Sequence, residues 1–150
     1  MPKPGPSSPA ARRTMIANTR ADTAPEVALR AALHARGLRF RKDYPMKIHG
    51  ARPTRIDVAF TRARVAVFLD GCFWHACPLH GQTPKSNAEF WATKLEANQK
   101  RDRLVSSSLE RDGWTVVRAW EHEPMEDLVD LVAATVAKRM GRMSVARSQP

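Results

Sequence analysis

The chain has 150 residues, is 43% hydrophobic and 27% charged, and carries a formal net charge of +10. That length suits one domain with one core. No apolar run of roughly 18 residues occurs, and the proline- and serine-rich N-terminus has no apolar signal core, so a membrane span and a secretory signal are excluded from the reading and a cytoplasmic monomer is expected. The charge is uneven: Lys3, Arg12 and Arg13 near one end and Lys138, Arg139, Arg142 and Arg147 near the other stand among no acidic residues and supply seven of the ten net charges. Between them, residues 36–64 hold nine basic residues against Asp43 and Asp57, a segment along which a polyanion can lie.

In chain order, Pro2, Pro4, Pro6 and Pro9 predict a disordered basic arm over residues 1–13. Residues 14–140 are expected to form the single domain, and residues 141–150 a flexible basic tail. Thr23-x-x-Glu26 is a capping box with Pro25 in the first turn, so a helix starts at Thr23, turns Ala28, Leu29, Ala32 and Leu33 inward, and ends near Gly37. A basic, irregular stretch follows. Two strands, Arg55 to Phe60 and Val65 to Asp70, are joined by the polar loop Thr61 to Arg64. With Phe60 paired to Val65, one face carries Ile56, Val58, Phe60, Val65, Val67 and Leu69. The other carries Asp57, Ala59, Ala66, Phe68 and Asp70, with Asp57 opposite Phe68 and diagonal to Asp70. A long helix from about Ala88 to Arg111 is capped by Ser86 or Asn87 and stopped by Gly113. Asn98 and Asp102 interrupt its inward row of Trp91, Leu95, Val105 and Leu109. A third strand, Trp114 to Glu121, and a helix from about Met125 to Met140 complete an α/β arrangement.

The density of chemistry is highest in residues 70–80, which hold both cysteines and two of the five histidines. The two thiols are too close and too well flanked by histidines to read as a disulfide framework. Zinc takes four N or S ligands, and Cys72-x4-Cys77-x2-His80 supplies three. The fourth is His75 or a residue from elsewhere, and His122, just past the third strand, is favoured because it would tie the loop to the sheet. Adjacent Phe73 and Trp74 suit a wedge that unstacks a base step, or a small core plug. Asp57 and Asp70 on a small-residue face suit Mg²⁺, which binds one or two carboxylates and keeps waters. Phosphodiester hydrolysis also needs a base; His75 stands close to Asp70, and Asp102 could orient it.

The strings Asp22-Thr-Ala-Pro-Glu26, Arg55-Ile-Asp57-Val, Asp70-Gly-Cys-Phe-Trp-His75, Glu89-Phe-Trp91, Lys100-Arg-Asp102-Arg and Gly113-Trp-Thr-Val-Val-Arg-Ala-Trp-Glu121 resemble, in order and spacing, the very short patch repair (Vsr) endonucleases. The resemblance runs from about Thr14 to Glu123. It implies a restriction-endonuclease-like PD-(D/E)xK fold, a three-layer core with a small mixed central sheet flanked by helices and a structural zinc site. It implies two Mg²⁺ ions, cleavage 5′ to the thymine of a T:G mismatch in double-stranded DNA, and work alongside repair proteins. By position, Asp57 is the Mg²⁺ carboxylate, with Asp70 and the Leu69 backbone carbonyl beside it. His75 is the base, Asp102 its partner, and Glu26 supports the site. Phe73, Trp74 and Trp91 enter the DNA from one groove and Met15 from the other, with Asn98 also on the DNA side. The chain departs from some members in having Leu69-Asp70 where they have Thr-His, and in a zinc set of Cys72, Cys77, His80 and His122 in which His122 replaces a cysteine. Two other readings stay open: a restriction-type enzyme of the same fold that cuts a defined unmismatched sequence, and a zinc-containing DNA-binding module without catalysis.

Overall fold

The computed structural model describes residues 22–72, 77–79 and 86–148. Its elements are α1 (Ala24–Ala35), β1 (Arg41–Met46), β2 (Thr54–Phe60), β3 (Val65–Asp70), α2 (Ala88–Arg111), β4 (Thr115–Trp120) and α3 (Met125–Ser148). The strands form one mixed sheet in the order β1-β2-β3-β4, in which β1, β2 and β3 run antiparallel and β4 lies parallel to β3. A parallel neighbour demands a crossover, and α2 supplies it.

The expected capping box forms. Thr23 Oγ1 accepts from the Glu26 amide at 3.5 Å, and Glu26 Oε2 accepts from the Thr23 amide at 3.4 Å. The box fixes where α1 begins and leaves Leu29 and Leu33 wholly buried. Those leucines join Val58, Phe60, Val65, Val67, Val117, Ala119 and the α3 residues Leu128, Val129, Val132 and Val136 in one apolar cluster. The opposite face of the sheet packs Ile56, Ala59, Ala66 and Phe68 against Val105 and Leu109 of α2, with Ile48 at the edge. Helices therefore cover both faces, α1 and α3 on one and α2 on the other. At about 25 cal/mol per Å², each fully buried leucine or valine contributes on the order of 1.5–3 kcal/mol.

Four expectations need correction. Ile56 does not share a face with Val58 and Phe60; it packs in the cluster of Ala59, Ala66 and Phe68. The cause lies next door. The β2–β3 ladder runs from Phe60↔Val65 to Val58↔Val67 and stops short of Asp57, whose carboxylate accepts the Leu69 amide at 2.8 Å. A side chain taking a ladder hydrogen bond breaks the alternation there, and the expected Asp57–Phe68 pairing is absent from the register. Second, the stretch read as irregular contains β1, an edge strand paired with β2 from Arg41↔Ala59 to Met46↔Thr54. Its sequence, RKDYPM, has no apolar alternation and includes Pro45, which only an edge tolerates. Third, Asn87 stands at the N-cap of α2 in the left-handed region (φ 56°) and makes no side-chain cap bond. Fourth, the last helix, expected to end near Met140, runs on to Ser148, with Gly141 in helical backbone and no proline before Pro150. The C-terminal stop of α2 is as expected, with Gly113 at φ 90°.

Candidate active site and metal-binding loop

Beside the ladder break lies a cavity of about 450 Å³, lined among others by Thr23, Glu26, Asp57, Leu69, Asp70, Asn98, Asp102, Arg118 and Glu121. Five elements or their flanks contribute. Glu26 comes from the first turn of α1, Asp57 from β2, Asp70 from the end of β3, Asn98 and Asp102 from the inward row of α2, and Arg118 from β4. The two polar interruptions of the α2 stripe thus face this cavity, as their helical spacing requires. Trp91 is half-buried and meets Phe90 edge-on, ring centroids 5.3 Å apart. Met15, Phe73, Trp74, His75 and His80 lie outside the described residues.

The cavity is electrostatically tense. Glu26 and Asp70 are only 7% and 8% exposed. Burial pushes the Asp57 carboxyl from its ordinary 3.8 up to about 7; the Leu69 amide opposes this, while repulsion from Glu26 and Asp70 adds to it. Burial also raises Glu26, against the lowering effect of backbone hydrogen bonds from Thr23 and Asp22 and the charge of Arg30. A buried carboxylate facing two others is a place where positive charge lowers the free energy, so the donor set fits a hard cation.

Two residues without an assigned role complete the cavity. Arg118 donates from Nη1 to Asp70 Oδ1 at 2.9 Å, from Nε to Ser106 Oγ at 2.8 Å and from Nη2 to the Asp102 carbonyl at 3.4 Å. Its Cζ sits 4.2 Å above the centre of the Phe68 ring. Glu121 accepts the Cys72 amide on Oε1 at 3.2 Å and donates its own amide to the Asp70 carbonyl at 2.9 Å, which joins the cavity to the neighbouring loop. Both belong to the segment Gly113–Glu121 that carries part of the family resemblance. The signal for Arg118 was there to read, since it is the one charged residue in TVVRAW. The mouth carries Arg55, held by the Asp43 carbonyl at 2.9 Å, and Arg101, held by the Pro53 carbonyl at 3.1 Å.

The loop after β3 brings Cys72, Cys77 and His122 together with their ligand atoms within 4.8 Å of one another. The two sulfurs lie 3.2 and 3.6 Å from His122 Nδ1, and the Cys77 amide closes the turn on the Cys72 carbonyl at 2.9 Å. Both thiols are buried and form no disulfide. Burial, then the adjacent Cys77, raises the Cys72 thiol above its ordinary value. Two soft sulfurs and one imidazole nitrogen at this separation make a three-donor set able to hold a metal ion. His122 joins the cysteines because the parallel register pairs Asp70 with Trp120 and so starts both flanking loops at the same edge.

Carboxylates recessed beneath an arginine rim suit an enzyme that works on a polyanionic backbone, and the relatives of this chain are DNA-acting enzymes of that class. A family model described as DNA mismatch endonuclease Vsr matches residues 7–80. The Type II nicking enzyme V.NaeI of Lentzea aerocolonigenes is 46% identical over 89% of this chain and 80% of its own length. The Type II nicking enzyme V.XorIIP of Xanthomonas oryzae is 39% identical over 84% and 90%, and the DNA mismatch endonuclease Vsr of Escherichia coli 36% identical over 73% and 67%. The chain belongs to the Vsr family of DNA endonucleases. Among the described residues no helix is long and apolar enough to cross a membrane.

Proposed function

We propose that this protein nicks one strand of duplex DNA 5′ to the thymine of a T:G mismatch, the lesion left by deamination of 5-methylcytosine, and so starts very short patch repair. The observation that carries the reading is the gathering of Glu26, Asp57, Asp70, Asn98 and Asp102 around one cavity in a chain of this family. The core is then read as the three-layer, restriction-endonuclease-like kind. The enzyme acts as a monomer whose domain begins near residue 14 and includes all of α3, with the basic segments 1–13 and 141–150 adding phosphate contacts.

Asp57, with Asp70 and the Leu69 carbonyl nearby, would hold Mg²⁺. That ion, when bound, would lower the pKa of a coordinated water and neutralise charge on the phosphate. His75 takes the proton of the attacking water, and Asp102 orients it. Glu26, anchored by the capping box, keeps the acidic wall in place. Cys72, Cys77, His80 and His122 would hold a zinc ion, which would staple the loop that carries the wedge, and Phe73, Trp74, Trp91 and Met15 would open the base step. A wobble pair stacks less well than a Watson–Crick pair, so opening it costs less of the few kcal/mol that unstacking demands.

The relatives named Type II nicking enzymes favour a second reading, strand-specific nicking at a fixed sequence without a mismatch. A nicking assay on duplexes that differ only in T:G or C:G at one position, with and without Mg²⁺, separates the two. Mg²⁺-dependent nicking of T:G alone supports the first; equal nicking of both duplexes overturns it.

A further inference from the structure

Arg118 is placed by the sheet, not by its neighbours in sequence. The parallel β3–β4 register sets it beside Phe68, and Asp70 follows two residues along on the same face. The aromatic ring beneath, Ser106 and the Asp102 carbonyl at its edges, and Asp70 in front hold the guanidinium from four sides. Its Nη1 also lies 3.9 Å from Asp102 Oδ1, so one side chain serves two of the cavity's carboxylates. With its side chain 22% exposed, it is a recessed cation lining the same cavity as Asp57. Asp57 takes the Leu69 amide, a dipole and not a charge. The acidic wall therefore divides in two. Asp70 and Asp102 have the Arg118 guanidinium directly against them, whereas Asp57, which feels that charge more weakly and has Glu26 near it, is where an added cation finds the greatest gain.

We propose that Arg118 supplies the positive charge that a second divalent ion would otherwise bring beside Asp70, so that the cavity holds one ion, at Asp57. The inference rests on the reading of this cavity as a cation site, and it revises the expected two Mg²⁺ to one. A divalent ion on the Asp70 side would lie against a guanidinium that Phe68, Ser106 and Asp102 prevent from swinging away, and like charges at such range repel strongly in a recessed site. Arg118 lines the cavity as a planar donor of the kind that recognises phosphate oxygens. It thus supports the transition state as a preorganised charge, while Asp70 is a positioning residue for it.

The test counts ions directly. The zinc-loaded protein is bound to a mismatched duplex with a non-cleavable linkage at the nick position, and tightly bound Mn²⁺ is counted by electron paramagnetic resonance. One Mn²⁺ per chain is expected, and two in the unaltered protein overturns the proposal. Arg118→Met should admit a second Mn²⁺ with at least tenfold tighter affinity than any second site in the parent. Arg118→Lys keeps the charge and should keep the count at one. A merely structural arginine would leave the count unchanged in the methionine variant, and that result also overturns the proposal. If Arg118→Met fails to fold, the counts of the parent and the lysine variant decide. No bound Mn²⁺ in the parent, together with metal-independent nicking, would mean instead that the cation reading of the cavity is wrong.

Discussion

A carboxyl group raised to about 7 in a wall shared with Glu26 and Asp70 makes Asp57 a reporter of its own surroundings. Between its ordinary 3.8 and about 7 the folded protein binds more proton at this site than the unfolded chain does. Stability from this group is therefore fully present at the acid end and lost as pH rises through 7. Without divalent ions, the parent should lose stability relative to Asp57→Asn across that window, by roughly 4 kcal/mol at most. Paired denaturant titrations at several pH values measure the difference; parallel curves would show that Asp57 is not protonated when folded. Added Mg²⁺ needs the ionised carboxylate, so its stabilisation of the parent should grow over the same pH range and be missing in the variant. The wedge belongs to this scale too. Trp74→Ala should weaken binding to a T:G duplex more than to a matched one, measured at one fixed salt concentration, because phosphate contacts are common to both duplexes and salt-sensitive. Equal losses on the two would assign Trp74 to the core.

At the scale of elements, α1 has two tasks that meet in one side chain. Glu26 accepts the Thr23 amide as half of the capping box, and it lines the cavity as part of the acidic wall. Thr23→Ala should cost about 1 kcal/mol of stability from the lost cap. Nicking should fall by no more than that loss explains, because the Thr23 backbone amide that Glu26 accepts is kept in the alanine variant. Thermal melting and nicking rates taken together check this, and a larger fall in nicking would mean that the Thr23 hydroxyl, by fixing the helix end, also fixes Glu26 in the cavity. The break in β2 makes a parallel point. Alternation from Val58 to Phe60 is regular, yet Ile56 turns to the α2 side because the Asp57 carboxylate takes the Leu69 amide. Hydrophobic period cannot report that a carboxylate will replace a backbone carbonyl in a ladder.

Over the whole molecule, β3 and β4 hold the site together. Their parallel register runs from Val65↔Thr115 to Asp70↔Trp120, so the loop bearing Cys72 and Cys77 and the turn bearing His122 leave the sheet side by side. A metal there closes a loop between segments about fifty residues apart in the chain, and losing it should loosen the end of the sheet that carries Asp70. We expect His122→Ala and Cys72→Ala each to lose several kcal/mol of stability along with the bound metal. Metal analysis of the purified parent should find one zinc per chain, and its absence would refute zinc as the occupant.

Much was legible before any tertiary contact was known. The Thr23–Glu26 box, strands β2 and β3, the ends of α2 at Ala88 and Arg111 and the pairing of Phe60 with Val65 all follow from local rules of capping, period and turn length that act within a few residues. So does the inward placement of Asn98 and Asp102, because helical spacing is set by the backbone alone. His122 was favoured as a partner for the cysteines on the argument that a staple should reach the sheet, and the three ligand atoms do converge. Edge strand β1 was hidden because its charged, proline-containing sequence is extended only by pairing with β2. The place of Arg118 was hidden for a related reason. Its partners Phe68, Asp70, Asp102 and Ser106 come from another strand and another helix, and only the parallel docking of β4 on β3 under α2 brings one guanidinium within reach of all four.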